Sequence, residues 1–272
     1  MRTFSDLIQS IMAGRGGSQA LGEALAARER AITALENPNT LEERRTLVFT
    51  LLDYSNMFNG QIEGREADAR HKLRARQRAF DVAAQLPADD PMRAEASIRL
   101  GIASLDVNAE RAAELIRDGL AMLDNGEGAN KAWVINAREN LGNALLRLER
   151  WSECVSVLDA ARRAWVAGVP DAPPGQPGGA LSFNLGFALQ HLGRWQEARD
   201  AFREAITCHV RDFGADHPNT IEAELHYGVA LVELGLRDEA RPLLERVATV
   251  VREKAGESHR YYKLAIDSLA RI

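Results

Sequence analysis

Two stretches of the sequence bring together residue types that could do chemistry. The segment from Gly14 to Ser18 is glycine-rich enough to suggest a phosphate cradle, but it lacks the lysine and the second glycine spacing of a phosphate-binding loop. Cys208, His209 and His217 lie close enough in sequence to suggest a metal ion, but no second cysteine pair completes a set of four ligands. We therefore predict no enzyme activity, no cofactor and no metal site, and we interpret the glycine-rich segment as a turn between helices.

The densest run of one charge lies within a predicted helix. Its members are Arg70, His71, Lys72, Arg74, Arg76 and Arg78. Arg70, Arg74 and Arg78 are spaced by four residues, share one helical face and repel one another unless acidic groups lie nearby. Glu66 and Asp68 offset part of this charge. Two interpretations stay open, a solvated face or a docking site for an acidic partner or a larger host protein.

The composition favours helices that position these residues. Apolar residues make up 46% of the 272 residues and charged residues 27%, whereas aromatic residues make up only 6%. Alanine, leucine, arginine and glutamate dominate, and the alternating Val, Ile and Thr of strands is nearly absent, so we predict an all-α fold. The net charge of −5, with both signs interleaved, argues against nucleic-acid and membrane partners.

The cysteine content and the start of the chain suggest where the protein works. Two cysteines make a disulfide framework implausible and suit a reducing compartment. The segment from Met1 to Gly14 is too short and too polar for a signal peptide or a membrane span. We therefore expect a cytoplasmic protein.

One local pattern recurs along the chain. Its marker residues are Gly101, Gly142, Gly186 and Gly228, and Ala270 continues the series, at spacings of 41, 44, 42 and 42 residues. A small residue at these positions lets two helices of one repeat pass closely. The small residues 12 positions later, Cys154, Ala198 and Ala240, give the same relief on the second helix.

The residues between the two helices of each repeat fit a reversal of the chain. Gly193 and Gly235 lie where the first helix must end and turn. Trp151 and Trp195 then begin the second helix and supply a large apolar plug over the turn. Each unit is thus a helical hairpin with an apolar side that a neighbouring hairpin must cover.

These repeats resemble the tetratricopeptide repeat, in the lengthened form of about 42 residues that is found in kinesin light chains and many bacterial proteins. The segment from Gly214 to Thr220 is similar to that family's inter-repeat linker, and the segment from Gly256 to His259 echoes it, with Arg260 where the proline would be. The resemblance implies a right-handed α-solenoid of stacked antiparallel hairpins that serves as a protein-interaction scaffold.

We divide the chain at residue 91. Residues 1–91 are predicted to form degenerate N-terminal hairpins that cap the same solenoid, and residues 92–272 form the repeat array. The predicted helices before residue 91 are Phe4 to Met12, Gln19 to Leu35, Leu41 to Phe58 and Arg65 to Leu86. The predicted repeats lie at about 92–128, 129–170, 178–213 and 217–255, with a half repeat at 259–272. Either the last helix caps the array, or the chain was cut from a longer array.

The family resemblance implies that the first helices of successive hairpins line a concave groove. The residues that we expect to face it are Asn136, Glu139, Asn140, Asn143, Arg147, Phe183, Asn184, Phe187, Gln190, His191, Leu225, His226 and Val229. Asn140 and Asn184 hold equivalent positions, and kinesin light chain repeats also carry an asparagine there. The side-chain amide of such an asparagine could bind an extended peptide backbone. Phe183, Phe187 and Leu225 would supply apolar pockets. The alternative is that these asparagines only bond to neighbouring helices and that Phe187 only fills space.

We therefore predict a module that binds a protein or peptide segment in this groove. Three alternatives stay open: a sensor that passes a ligand-induced change to an output domain, an accessory domain of a longer enzyme, and self-association through terminal repeats. The sequence names neither the partner nor its binding motif.

Overall fold

The computed structural model describes residues 17–58, 65–123, 132–166 and 178–272. Every regular element in these ranges is an α-helix, which confirms the predicted all-α fold class. None of the helices in the same ranges is both long enough and apolar enough to cross a bilayer.

The chain forms two compact units, Met1–Glu127 and Gly128–Ile272. The described helices of the first unit pack in chain order and are α1 (Gly17–Ala34), α2 (Leu41–Met57), α3 (Arg65–Ala83), α4 (Pro91–Ser104) and α5 (Ala109–Leu123). Helices α2 and α3 lie where the sequence predicts them. The predicted helix Phe4 to Met12 and residues 14–16 of the glycine-rich segment lie outside the described residues. Gly17 and Ser18 begin α1, so they belong to a helix and not to a turn.

The second unit consists of consecutive hairpins. Its described helices are α6 (Ala132–Arg147), α7 (Trp151–Val166), α8 (Gly178–His191), α9 (Trp195–Phe213), α10 (Pro218–Glu233), α11 (Arg237–Ala255) and α12 (Arg260–Leu269). Trp151 and Trp195 are the first residues of α7 and α9, as predicted. The marker glycines lie within the first helix of each pair.

The marker glycines bring the two helices of a hairpin into direct contact. A Cβ atom on Gly142 would lie 2.3 Å from Leu158 Cδ2, and one on Gly186 would lie 2.8 Å from two ring carbons of Phe202. The small partner Cys154 is fully buried, and its Sγ lies 3.5 Å from the Gly142 carbonyl oxygen. The predicted reason for small residues at these positions is confirmed: the second helix fills the space that a side chain would need.

The hairpin turns require a left-handed backbone residue. Gly193 and Gly235 have φ angles of 69° and 75°. Glu149 occupies the equivalent position of the preceding hairpin, 44 residues before Gly193, and has a φ of 56°. A residue with a Cβ is strained in this conformation, so the α6–α7 turn keeps its shape at a cost that the other two turns avoid.

Two histidines cap the helices that follow the linkers. His217 Nδ1 accepts a hydrogen bond from the Asn219 amide at the start of α10, and His259 Nδ1 accepts one from the Tyr261 amide at the start of α12. The second linker keeps this cap although Arg260 stands where the first has Pro218. His217 therefore has a structural use in the linker, in line with its assignment to the repeat.

We expect Gly186→Val to lower the free energy of unfolding by about 1–3 kcal/mol, because the added side chain must displace the fully buried Phe202 ring. Gly22→Val is the matched control, since a Cβ on Gly22 meets no atom within 4 Å. Urea unfolding followed by circular dichroism measures both. Equal midpoints for the two variants would contradict the close approach.

We expect Glu149→Gly to raise the free energy of unfolding by roughly 0.5–1 kcal/mol, because glycine relieves the left-handed strain but adds entropy to the unfolded chain. Gly193→Ala should do the reverse at the equivalent turn, with a loss of about 1 kcal/mol. Thermal melting of both variants tests the pair. A stabilised Gly193→Ala protein would rule out this account of the turns.

Candidate functional site

The candidate site lies in the second unit, where the first helices of successive hairpins contact one another. Helix α8 packs against α6 on one side and α10 on the other, and α10 also packs against α12. The sequence-predicted residues on α6 and α8 form what we call the first-helix face. It consists of Asn136, Glu139, Asn140, Asn143, Arg147, Phe183, Asn184, Phe187, Gln190 and His191. Asn136, Arg147 and His191 are exposed, and the other seven are half-buried.

The asparagines of the first-helix face bond within the protein through their amide nitrogens. Asn184 Nδ2 donates to Asn143 Oδ1 at 2.6 Å and so joins α8 to α6. Asn140 Nδ2 donates at 2.8 Å to the Asn136 carbonyl oxygen, one turn earlier on α6. Asn184 thus bonds to a neighbouring helix, whereas Asn140 bonds within its own helix. Among the described residues, the side-chain oxygens of Asn140 and Asn184 accept no hydrogen bond.

An aromatic cluster adjoins these amides. The Trp151 and His191 rings stack with centroids 4.0 Å apart and planes 5° apart. Phe187 contacts the His191 ring at 4.7 Å and the His226 ring at 5.3 Å. Phe183 lies 6.3 Å from Phe187 and continues the row. Three helices, α7, α8 and α10, thus contribute rings to one partly exposed strip.

His226 is the most buried ring of this cluster. It is 7% exposed, and its Nδ1 lies 3.1 Å from Gln190 Oε1. Burial, with Arg260 and His191 nearby, lowers the pKa of His226 to about 4, so the ring is neutral at neutral pH. Because an amide oxygen only accepts, Nδ1 carries the hydrogen, and the bond ties α10 to α8.

The apolar residues of α10 that the sequence predicts at the partner surface are buried in the structure. Leu225 is 0% exposed and Val229 8%, and Leu225 packs in a core with Leu244 and Val247. The equivalent positions on α6 and α8 stay half-open. The difference arises because Tyr261 and Leu269 of α12 pack against the core that contains Leu225, while Phe183 and Phe187 of α8 contact His226. Leu225, His226 and Val229 therefore belong to the interior.

Glu139 is the ionisable group of the first-helix face whose pKa its surroundings shift most. Burial raises the pKa of its carboxyl to about 7. Its Oε2 atom is buried and has no hydrogen-bond partner. The carboxyl group therefore changes charge near neutral pH, on the same helix as Asn136, Asn140 and Asn143.

Two contacts of this region were missed by sequence reasoning. The Tyr261 hydroxyl donates to Glu222 Oε1 and so joins α12 to α10. Trp151 was assigned to the turn, but its ring also stacks on His191 of the next hairpin. The spacing of 40 residues between Trp151 and His191 is close to one repeat, which is a signal that could have indicated the second contact.

The cysteine and histidines considered for metal binding have other surroundings. His209 Nδ1 lies 3.1 Å from the Asn219 carbonyl oxygen, and His217 stacks on Phe213 at 4.6 Å. Within the described ranges, no group of three or more His, Cys, Asp or Glu side chains converges in a way that could hold a metal ion.

The chain is similar to known repeat proteins. Residues 179–271 match the family model for the tetratricopeptide repeat. No curated protein matches the sequence. BtubC (BKLC) from P. vanneervenii has a similar structure, with a TM-score of 0.62 and 15% identity over 87% of this chain and 93% of that chain.

Two further crystal structures share the fold. The nearly identical TPR-like repeats of a Podosopora anserina protein of the kinesin light chain type give a TM-score of 0.58 at 16% identity, over 80% of this chain and 98% of that one. The MamA protein gives 0.53 at 17% identity, over 80% and 97%. Together with the family match, these structures confirm the resemblance to tetratricopeptide repeats of the kinesin-light-chain type.

We expect Glu139→Gln to stabilise the protein above pH 7 by roughly 1–3 kcal/mol and to have little effect below pH 4.5. A carboxyl whose pKa is raised on folding costs no stability while both states are protonated, and its cost grows as the pH rises from the unfolded value through about 7. Urea midpoints of the wild type and variant across this pH range test the expectation. A difference that is constant with pH would contradict it.

Proposed function

We propose that this tetratricopeptide-repeat protein is a non-catalytic interaction module that binds an extended segment of a partner protein on its first-helix face. The observation that carries the proposal is the row of half-exposed amides and aromatic rings on α6 and α8, which share one face because the two helices pack side by side. Repeat proteins of this kind generally act as protein-interaction scaffolds.

The free acceptors of the asparagines favour an extended peptide as the ligand. The amide nitrogens of Asn140 and Asn184 are engaged, so their oxygens are the atoms left to receive a ligand. A peptide backbone in extended conformation offers N–H donors at regular intervals. Such contacts hold a chain without reading its sequence.

The aromatic strip is suited to supply selectivity. Phe183 and Phe187 are half-buried, and His191 lies exposed over Trp151. Flat apolar surface of this kind buries a partner's apolar side chain at little cost in side-chain entropy, since the rings already hold one another. We expect an affinity near micromolar, about −8 kcal/mol.

The thiols support a reducing environment for this interaction. Cys154 and Cys208 are both free. Burial raises the pKa of Cys154 to about 12, which keeps it a thiol. We propose a cytoplasmic location, which suits free thiols.

We expect the double variant Asn140→Ala, His191→Ala to weaken capture of the native partner from source lysate by about 1–3 kcal/mol, or roughly 5- to 150-fold. Both side chains lie at the surface of the first-helix face, so helicity should stay unchanged, and the melting temperature should fall only slightly through the loss of the His191 ring contacts. Quantitative pull-down against immobilised wild type and variant measures the loss.

The matched control is Thr207→Ala, Thr249→Ala on the second helices α9 and α11. Each of these exposed hydroxyls donates to the carbonyl oxygen four residues earlier, as Asn140 does through its amide. The control should capture the partner as well as the wild type does. If the first-helix variant retains full capture, or if the control loses it equally, the proposed face is rejected.

A further inference from the structure

The basic run on α3 divides into residues with different surroundings. Arg76 is 7% exposed and donates to Ser55 Oγ and the Arg99 carbonyl oxygen, so it belongs to the interior. Arg70 pairs with Glu66 at 2.7 Å, as the sequence predicts. Arg74 and Arg78 remain at the surface, one helical turn apart, and we call them the arginine ridge.

The arginine ridge separates two clefts of the first unit. The first, of about 540 Å³, lies between α3 and the α4–α5 turn, and its other lining residues include Leu73, Gln77, Val107 and Arg111. The second, of about 310 Å³, lies between α3 and the helices α1 and α2, where Ile32, Leu51, Tyr54 and Ala75 line it. Both clefts are therefore walled by the same two guanidinium groups.

The positive charge of the first cleft is not balanced by ion pairs. Within the described part of the chain, Arg74, Arg78 and Arg111 have no carboxylate oxygen within 4 Å. Arg111 Nη2 donates instead to the neutral Gln77 Oε1 at 3.1 Å. The acidic residue of this cleft, Asp81, accepts from Gln77 Nε2 at 2.8 Å. Three guanidinium groups thus keep most of their donors available.

The same cleft also exposes an aliphatic surface. Val107 is 74% exposed, the largest exposed fraction among the large apolar side chains of the described residues. It lies in the short turn between α4 and α5, beside the half-buried Leu73. A ligand that matches this surface must offer both negative charge and an aliphatic side chain.

We propose that the arginine ridge and its first cleft bind an acidic protein segment in which carboxylates alternate with aliphatic side chains. The carboxylates pair with Arg74, Arg78 and Arg111, whose planar forks suit bidentate contacts. An aliphatic side chain between them covers Leu73 and Val107. A long polyanion without aliphatic side chains fits less well, because it leaves Leu73 and Val107 uncovered and also meets Glu29 in the second cleft. The site shares no residue with the first-helix face.

The test is fluorescence anisotropy with a labelled peptide of ~12 residues, in which Glu-Asp pairs alternate with single leucines and which reaches about 40 Å when extended. We expect binding by the full chain that weakens as salt is raised, since exposed charge pairs are screened. Arg74→Glu, Arg78→Glu should weaken it at least ~10-fold. Val107→Ser should weaken it by a smaller factor of ~3.

The matched control is Arg237→Glu, Arg252→Glu, which makes the same change of charge at exposed positions of α11. It should bind like the wild type. Equal losses in both double variants, or undiminished binding of a peptide with serine in place of leucine, would overturn the proposal. Tighter binding of polyuridylate or of phosphatidylserine vesicles than of the peptide would also overturn it. Each result leaves the test of the first-helix face unaffected.

Discussion

The second unit depends on the close approach of two helices at each marker glycine. Leu158 and Phe202 occupy the space where side chains of Gly142 and Gly186 would stand. A hairpin packed this tightly holds its first helix at a fixed distance from its second, and therefore sets where the next first helix can lie. The side-by-side contacts of α6, α8 and α10 follow from that spacing. So does the alignment of amides and rings on the first-helix face.

The sequence was sufficient for the features that repeat. The marker glycines, the small residues opposite them and the tryptophans at the starts of α7 and α9 all lie where the spacing predicts, because each answers a steric need that recurs in every hairpin. The offsets from the marker glycine predict the same exposure for Glu139, Phe183 and Leu225, yet of these three Leu225 alone is buried. That burial depends on the core to which α12 contributes and not on the residue's own repeat.

Which polar atoms stay available was also beyond the sequence. Equivalent positions gave Asn140 and Asn184 the same predicted role, yet Asn184 bonds across to α6 and Asn140 bonds within its own helix. The difference depends on Asn143, which supplies an oxygen in reach of Asn184. In Asn184 the amide nitrogen therefore joins two helices, while the amide oxygen is the atom that the proposed peptide would contact.

Because Cys154 is enclosed against the Gly142 carbonyl oxygen, its reaction with a thiol reagent can measure the opening of the α6–α7 hairpin. A thiol that is fully enclosed reacts with iodoacetamide only after the two helices separate. Its alkylation rate therefore measures how often this hairpin opens locally. Cys208 is only partly buried, so its alkylation rate in the same molecule serves as the reference rate for an accessible thiol. The ratio of the two rates would report local opening free energy without any engineered probe.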